Sequence, residues 1–142
     1  MIASAQPLAR GLRKGLQTTW ILAKAVVPTY IVVYFLAKTP VLDIIGRLAA
    51  PLLQVIGLPG EAALPLVLGL VMNLYTAIGA LVPLELGVKE ATIIAVILST
   101  AHNLPMETAV TRQIGVSAWF SLGIRLGLAF ALALIIHLVW KV

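Results

Sequence analysis

Apolar residues in this chain come in blocks long enough to cross a bilayer, and the polar residues among them fall at helical intervals. Trp20 to Ala37 is about 18 largely apolar residues, enough for a tilted span by the ~20-residue rule. Upstream, Leu8, Leu12 and Leu16 stand four apart, with Arg10, Arg13 and Lys14 on the other side of a helical wheel. That pattern predicts an amphipathic surface helix over 1–19, its cations against anionic lipid. A signal peptide is the competing reading. Against it, the apolar run is too long, Lys24 interrupts it, and no small-x-small cleavage site follows. Residues 20–38 therefore read as an uncleaved anchor, with a cytoplasmic N-terminus on the positive-inside rule.

Between Val41 and Ile56 the polar stripe is narrow: Asp43, Arg47, Ala50 and Gln54 share one side, and Asp43 and Arg47 form an i, i+4 pair. At 1.5 Å per residue the segment is about 24 Å long, short for a ~30 Å hydrocarbon core. It is either a buried half-helix or an interfacial one, with Pro51 as the expected bend. Ala62 to Val82 predicts a full-length span carrying Gly69, Asn73, Thr76 and Ala80 as a small and polar stripe. The short loop Pro83 to Gly87 returns the chain antiparallel. Gly87 to Ala101 follows, with Ala91, Ala95, Ser99 and Asn103 at four-residue steps. A short polar helix, Met106 to Ile114, should end at Gly115. Val116 to Trp140 is the last span. Its row Ser117, Ser121, Arg125, Ala129, Ala133 and His137 drifts around a straight helix, so all six cannot face one partner. The expected fold is all-α, with three to four spans plus one or two partial ones.

Two of the interruptions share a phrase. Leu58-Pro59-Gly60-Glu61-Ala62-Ala63-Leu64 returns 46 positions later as Leu104-Pro105-Met106-Glu107-Thr108-Ala109-Val110. Each copy follows a helical stretch and opens another helix. Proline suits a first helical position, and a glutamate in the first turn meets the positive end of the dipole. The plain reading is two ordinary helix starts. The functional reading is two related units, about 41–83 and 87–140, because paired Pro/Gly breaks in a membrane protein point to a binding site.

Composition fixes the solvent. The 142 residues are 61% hydrophobic and 11% charged, and mean hydropathy is +1.09. A soluble domain has ~25% charged residues. The chain reads as one small integral membrane domain in lipid. The net charge of +5 is not gathered on a soluble face with aromatics, so nucleic acid is not expected. With no cysteine there is no disulfide, thiolate metal site or cysteine nucleophile. Neither a phosphate-cradling loop nor a catalytic triad is present, and no cofactor, metal or enzymatic activity is expected.

The candidate binding residues are Glu61, Asn73, Asn103, Glu107 and Arg125. Arg125 stands within the last span, where an unpaired arginine costs at least ~2.5 kcal/mol on insertion scales, so it needs a partner or water. A structural ion pair with Glu61 or Glu107 meets that need, and so does an anionic or hydrogen-bonding ligand. Glu61 and Glu107 either complement dipoles at an aqueous edge or converge as ligand-orienting carboxylates. Asn73 must find hydrogen bonds, from a helix contact or a solute. Asn103 is placed to cap the helix that starts at Pro105. His102 lacks recognisable metal spacing, and Glu85, Lys89 and Glu90 read as a solvated helix start.

Gly57-Leu58-Pro59-Gly60-Glu61 running into Leu66-Val67-Leu68-Gly69-Leu70, then Ala101-His102-Asn103-Leu104-Pro105-Met106-Glu107-Thr108, resembles the nucleoside recognition, or Gate, domain family. The family includes small stand-alone membrane proteins of the spore-maturation type and the membrane part of ferrous-iron transport GTPases. More distantly it is related to concentrative nucleoside transporters. The similarity covers residues 40–140. It implies an all-helical membrane module with broken segments, in which the 57–61 and 102–107 breaks line a path. This chain lacks a GTP-binding loop before the module and the cysteines associated with iron handling, so iron transport is not expected.

The sequence thus supports recognition and passage of a small polar solute, nucleoside-like by resemblance, at the bacterial inner membrane. At 142 residues a complete alternating-access device needs more, so a homodimer or a partner membrane subunit is expected. The second reading is a non-transporting scaffold or regulatory subunit. Geometry separates them. A solute site predicts Glu61, Asn73, Glu107 and Arg125 around one wet cavity; a scaffold predicts them scattered or consumed in closed pairs.

Overall fold

The computed structural model describes residues 5–36 and 38–140, all of whose regular structure is helical. Residues 1–4 of the expected surface helix and Ala37 at the end of the first expected span lie outside that range. Helix α1, Ala5–Leu36, is one continuous helix of 32 residues, about 48 Å long. The helix does not break between 19 and 20, where surface helix and anchor were expected to meet. No glycine or proline stands between Gly15 and Pro28, and the Thr19 hydroxyl bonds back to the Gly15 carbonyl at 3.0 Å within the helix.

Helix α2, Pro40–Leu53, starts with a proline at its first turn and passes Pro51 without ending. It tightens into a 3-10 turn at Gln54–Ile56, and Gly57 then adopts the left-handed conformation (φ 74°). The Leu58 N–H returns to the Leu53 carbonyl at 3.0 Å, which satisfies the helix end. Pro59 and a second 3-10 turn, Gly60–Ala62, lead into α3, Ala63–Val71. The chain bends by 97° across this junction. Gly60 lies directly on the Gly46 carbonyl of α2, an approach with no room for a side chain at position 60.

The expected full-length span over 62–82 is instead two short helices. Helix α3 stops at Val71, and α4 occupies Leu74–Leu81. A continuous helix would hold residues 69 and 77 about 12 Å apart. Here a Cβ on Gly69 would stand 3.0 Å from the Ala77 Cβ, so the chain doubles back as a helical hairpin. Asn73 makes the turn. Its Oδ1 accepts from the Thr76 N–H at 2.9 Å and from the Thr76 hydroxyl at 3.0 Å. A side chain that caps the following helix outcompetes continuation of the preceding one. Each arm, at about 14 Å or less, is too short to cross a bilayer.

Helix α5, Val88–Thr100, returns antiparallel and is interrupted at Ala101–Asn103 before α6, Leu104–Gln113. Unlike the first Leu-Pro junction, this break keeps its direction, and Val88–Gln113 serves as one 26-residue stretch. Gly115 ends α6 with φ 83°, and the Val116 N–H returns to the Thr111 carbonyl. Helix α7, Ala118–Val139, closes the fold. Among the described residues three helices are long and apolar enough to span a membrane, or four if the bent pair counts as one span. The protein is an all-α membrane protein with broken helical segments.

Ile93, Ile94, Ile97 and Leu98 of α5 share the main buried cluster with Ala129 and Ala133 of α7, Leu66 and Ala77 of the hairpin, and Ile56 and Leu58 of the first junction. A smaller cluster of Val33, Ala80 and Leu84 seats the hairpin on α1. There Gly79 lies so close to α1 that an added Cβ would stand 2.7 Å from the Val26 carbonyl oxygen. The obstacle is backbone and cannot swing away. We expect Gly79→Ala to destabilise the protein by about 1–3 kcal/mol through overpacking. Gly127→Ala, whose Cβ would meet nothing within 4 Å, should be near neutral. Unfolding in detergent, read as the difference between the two variants, checks this.

Candidate functional site

Pro105 has no N–H to give and biases Leu104 away from helical backbone, so α5 cannot run straight into α6. The interruption leaves backbone groups without helical partners in the middle of a span. Asn103 takes the left-handed conformation (φ 45°), which asparagine tolerates better than most residues. Its N–H donates to the Gly69 carbonyl at 2.9 Å. In a continuous helix the Asn73 N–H would take that carbonyl, so the turn of the hairpin frees the acceptor that the second break uses. Asn103 stands at the cap position of α6 as the sequence suggests, but its side chain makes no capping bond. Capping needs extended backbone at that residue, and the left-handed turn removes it.

The side chains complete the accounting. At the end of α5, His102 Nδ1 lies 3.0 Å from the Leu98 carbonyl, and Arg125 Nε of α7 donates to the Thr100 carbonyl at 3.0 Å. Glu107, in the first turn of α6, presents one carboxylate oxygen to the Arg125 guanidinium in a direct ion pair. Its other oxygen, Oε1, faces His102 Nε2 at 3.4 Å. Hydrogen-bond donors, one of them the Arg125 cation, thus meet the negative end of α5, and the carboxylate sits at the positive end of α6, as the helix dipoles favour. Arg125 lies about 10 Å along α7 from its start, well inside the span. The cluster is not sealed: the Arg125, Glu107 and His102 side chains are 22%, 34% and 37% exposed. It is a charged constellation within a membrane-spanning stretch.

The other two candidates lie differently. Asn73 spends its side-chain oxygen on Thr76 at the hairpin turn. That turn approaches the second break through the Gly69–Asn103 bond, so Asn73 neighbours the cluster without joining its ion pairs. Glu61 lines a separate cleft of about 350 Å³ with Asp43, Gly46, Arg47, Ala50 and Gly60, in which Glu107, Arg125 and Asn73 take no part. Within this one chain the structure joins Glu107 to Arg125, sets Asn73 and Asn103 nearby and leaves Glu61 apart. His102 and the Thr100 carbonyl are members that spacing did not single out. His102 falls five residues before Glu107 across a proline break, a distance that matches no metal motif and no helical pair. Among the described residues no group of three His, Cys, Asp or Glu side chains could hold a metal ion.

Because the Arg125 and Glu107 side chains are each partly exposed, their pairing is worth less than that of a sealed pair. We expect Arg125→Gln to destabilise the protein by about 1–3 kcal/mol, leaving Glu107 and the Thr100 carbonyl short of donors. Adding Glu107→Gln should recover part of that loss, giving a coupling energy of about 1 kcal/mol in a double-mutant cycle. Additive losses would mean that the two side chains act independently.

Comparison with known proteins agrees with this architecture. The family model for nucleoside recognition, Gate, matches residues 19–120, and so takes in the second half of α1 as well as both Leu-Pro junctions. The chain is 45% identical over 130 residues to the uncharacterized membrane protein YvoD of Bacillus subtilis (strain 168). The match takes in 92% of this chain and only 42% of YvoD, so the chain spans about two fifths of that relative's length. No solved structure matches. With a family match over most of its length, falling on the broken helices just described, the chain belongs to the Gate, or nucleoside recognition, family of membrane proteins.

Proposed function

We propose that the protein recognises a small polar solute, nucleoside-like in chemistry, at the α5–α6 break and passes it across the membrane without catalysis. The observation that carries this reading is the partial opening of the Glu107–Arg125–His102 cluster inside a spanning segment. Charges in a bilayer are costly, so ionisable side chains inside a span mark a site by default. Glu107 would accept from hydroxyl or amino groups of the solute, Arg125 would supply countercharge, and hydrogen bonds would come from Asn73 on the hairpin side and from Asn103 in the break. Glu61, in its own cleft with Arg47 and Asp43, would act at a second position on the path. The corresponding junctions support two related units, since Gly57 and Asn103 each stand immediately before Leu-Pro and both are left-handed.

The same reading places the chain in the bacterial inner membrane with its N-terminus in the cytoplasm, where the basic first turns of α1 meet anionic lipid. It also calls for a second copy or a partner subunit. A groove of about 510 Å³ along the exposed small residues Ala91, Ala95 and Ser99 of α5 is suited to close helix approach. A second reading, the non-transporting scaffold, has its own observation. Glu107 and Arg125 are directly paired and Asn73 is occupied with Thr76, so much of the polar chemistry is consumed within the chain.

Thermal unfolding of detergent-purified protein against nucleosides, nucleobases and small anions separates the two. A ligand at 100 times its dissociation constant adds about 2.7 kcal/mol of stability. We expect stabilisation by one compound class, lost in Glu107→Gln and Arg125→Gln while both variants stay folded. A flat response across the panel, with both variants merely less stable, decides for the scaffold.

A further inference from the structure

We propose that the gap between His102 Nε2 and Glu107 Oε1 is a proton-binding site, and that its proton competes with the donor groups of a bound solute. The competition rests on the α5–α6 break being the recognition site; the proton site does not. A backbone carbonyl can only accept, so the 3.0 Å contact between His102 and Leu98 fixes a hydrogen on Nδ1. The ring atom that faces Glu107, at 3.4 Å, is therefore Nε2. In the neutral ring with hydrogen on Nδ1, Nε2 is a bare acceptor, and so are both carboxylate oxygens. Two lone pairs then oppose each other across the 3.4 Å gap and repel. A single proton turns that opposition into a charge-assisted hydrogen bond, whichever of the two groups is taken to carry it.

The surroundings leave this gap as the place for the proton. Arg125 cannot release its own proton, and it holds the other carboxylate oxygen, so Glu107 has Oε1 left to share. Among the packed elements, α3 carries no titratable side chain and α4 carries only Tyr75. Arg112 lies at the far end of α6, Lys89 and Glu90 at the far end of α5, and His137 at the far end of α7. Counting Arg125, Glu107 and His102, the loaded site carries one net positive charge and the unloaded site none. A hydroxyl or amino donor of a solute needs the same lone pairs on Nε2 or Oε1. Proton and solute then exclude each other, and each weakens the binding of the other by the same factor.

The chain has two histidines, so the ring nitrogens of protein labelled with ¹⁵N-histidine in nanodiscs can be assigned with a His137→Gln variant. Across a pH titration, the expected result is a one-proton step at His102 Nε2 while Nδ1 keeps its hydrogen throughout. Glu107→Gln should move the midpoint of that step, because the gap then holds no carboxylate to share the proton. A step at Nδ1, no step at His102, or a midpoint indifferent to Glu107→Gln would overturn the proposal. If Glu107→Gln does not fold, the wild-type assignment of the step to Nε2 or Nδ1 decides. Uridine and adenosine then serve as probes. Binding heats in buffers of different ionisation enthalpy should show about one proton released per probe bound, at a pH where the gap is loaded. An Nε2 step with no binding of either probe keeps the proton site and counts against the solute reading. Probe binding without proton release refutes the competition.

Discussion

Everything in this fold depends on how interrupted helices satisfy their backbone groups inside lipid. Water is absent there, and every orphaned N–H or carbonyl costs several kcal/mol. The chain interrupts its helices at Gly57, at Met72–Asn73, at Ala101–Asn103 and at Gly115, and partners are visible at each. Leu58 and Val116 turn their N–H groups back onto the helices just ended. Asn73 caps the hairpin's second arm with its side chain. The break within the α5–α6 span draws on the rest of the molecule: Gly69 from the hairpin, Arg125 from α7 and His102 from the break itself.

That dependence explains why the charges are where they are. A helix that stops in mid-span exposes a negative end, and the helix that follows exposes a positive one. Donors on the carbonyls of α5 and a carboxylate in the first turn of α6 satisfy both ends, and the Arg125 guanidinium and the Glu107 carboxylate then neutralise each other. The first Leu-Pro junction faces a different task. It bends by 97°, Gly60 packs onto the Gly46 carbonyl, and its glutamate turns to a more open cleft with Arg47 and Asp43. Two copies of one phrase therefore hold their glutamates in different surroundings.

Much of the architecture was legible because hydropathy and breakers act locally. The spans, the two Leu-Pro restarts and the stop at Gly115 follow from patterns within a few residues. The hairpin was not legible from hydropathy, since 62–82 is apolar enough to read as one span. Its signal was smaller: an asparagine three residues before a threonine, a capping pair sitting where a helix interior was expected. The continuity of α1 was hidden by a change of polarity that alters the helix's surroundings without altering its backbone. Arg125 was readable as needing a carboxylate, but the choice of Glu107 over Glu61 required the tertiary placement of α7. His102 shows no metal spacing in the sequence, and its place in the cluster comes from a carbonyl and a proline break, neither of which leaves a spacing to recognise.

The bond between Asn103 and Gly69 has a mechanical consequence. It joins backbone to backbone, so neither partner can change rotamer to let the other go. Gly69 has no side chain to act as a cushion, and the Leu98 methyl groups would lie 2.5 and 2.9 Å from any Cβ placed there. The hairpin turn and the start of α6 are therefore geared together: a shift of the hairpin along the bilayer normal either drags Glu107 past the fixed guanidinium of α7 or strips a carbonyl bare in lipid.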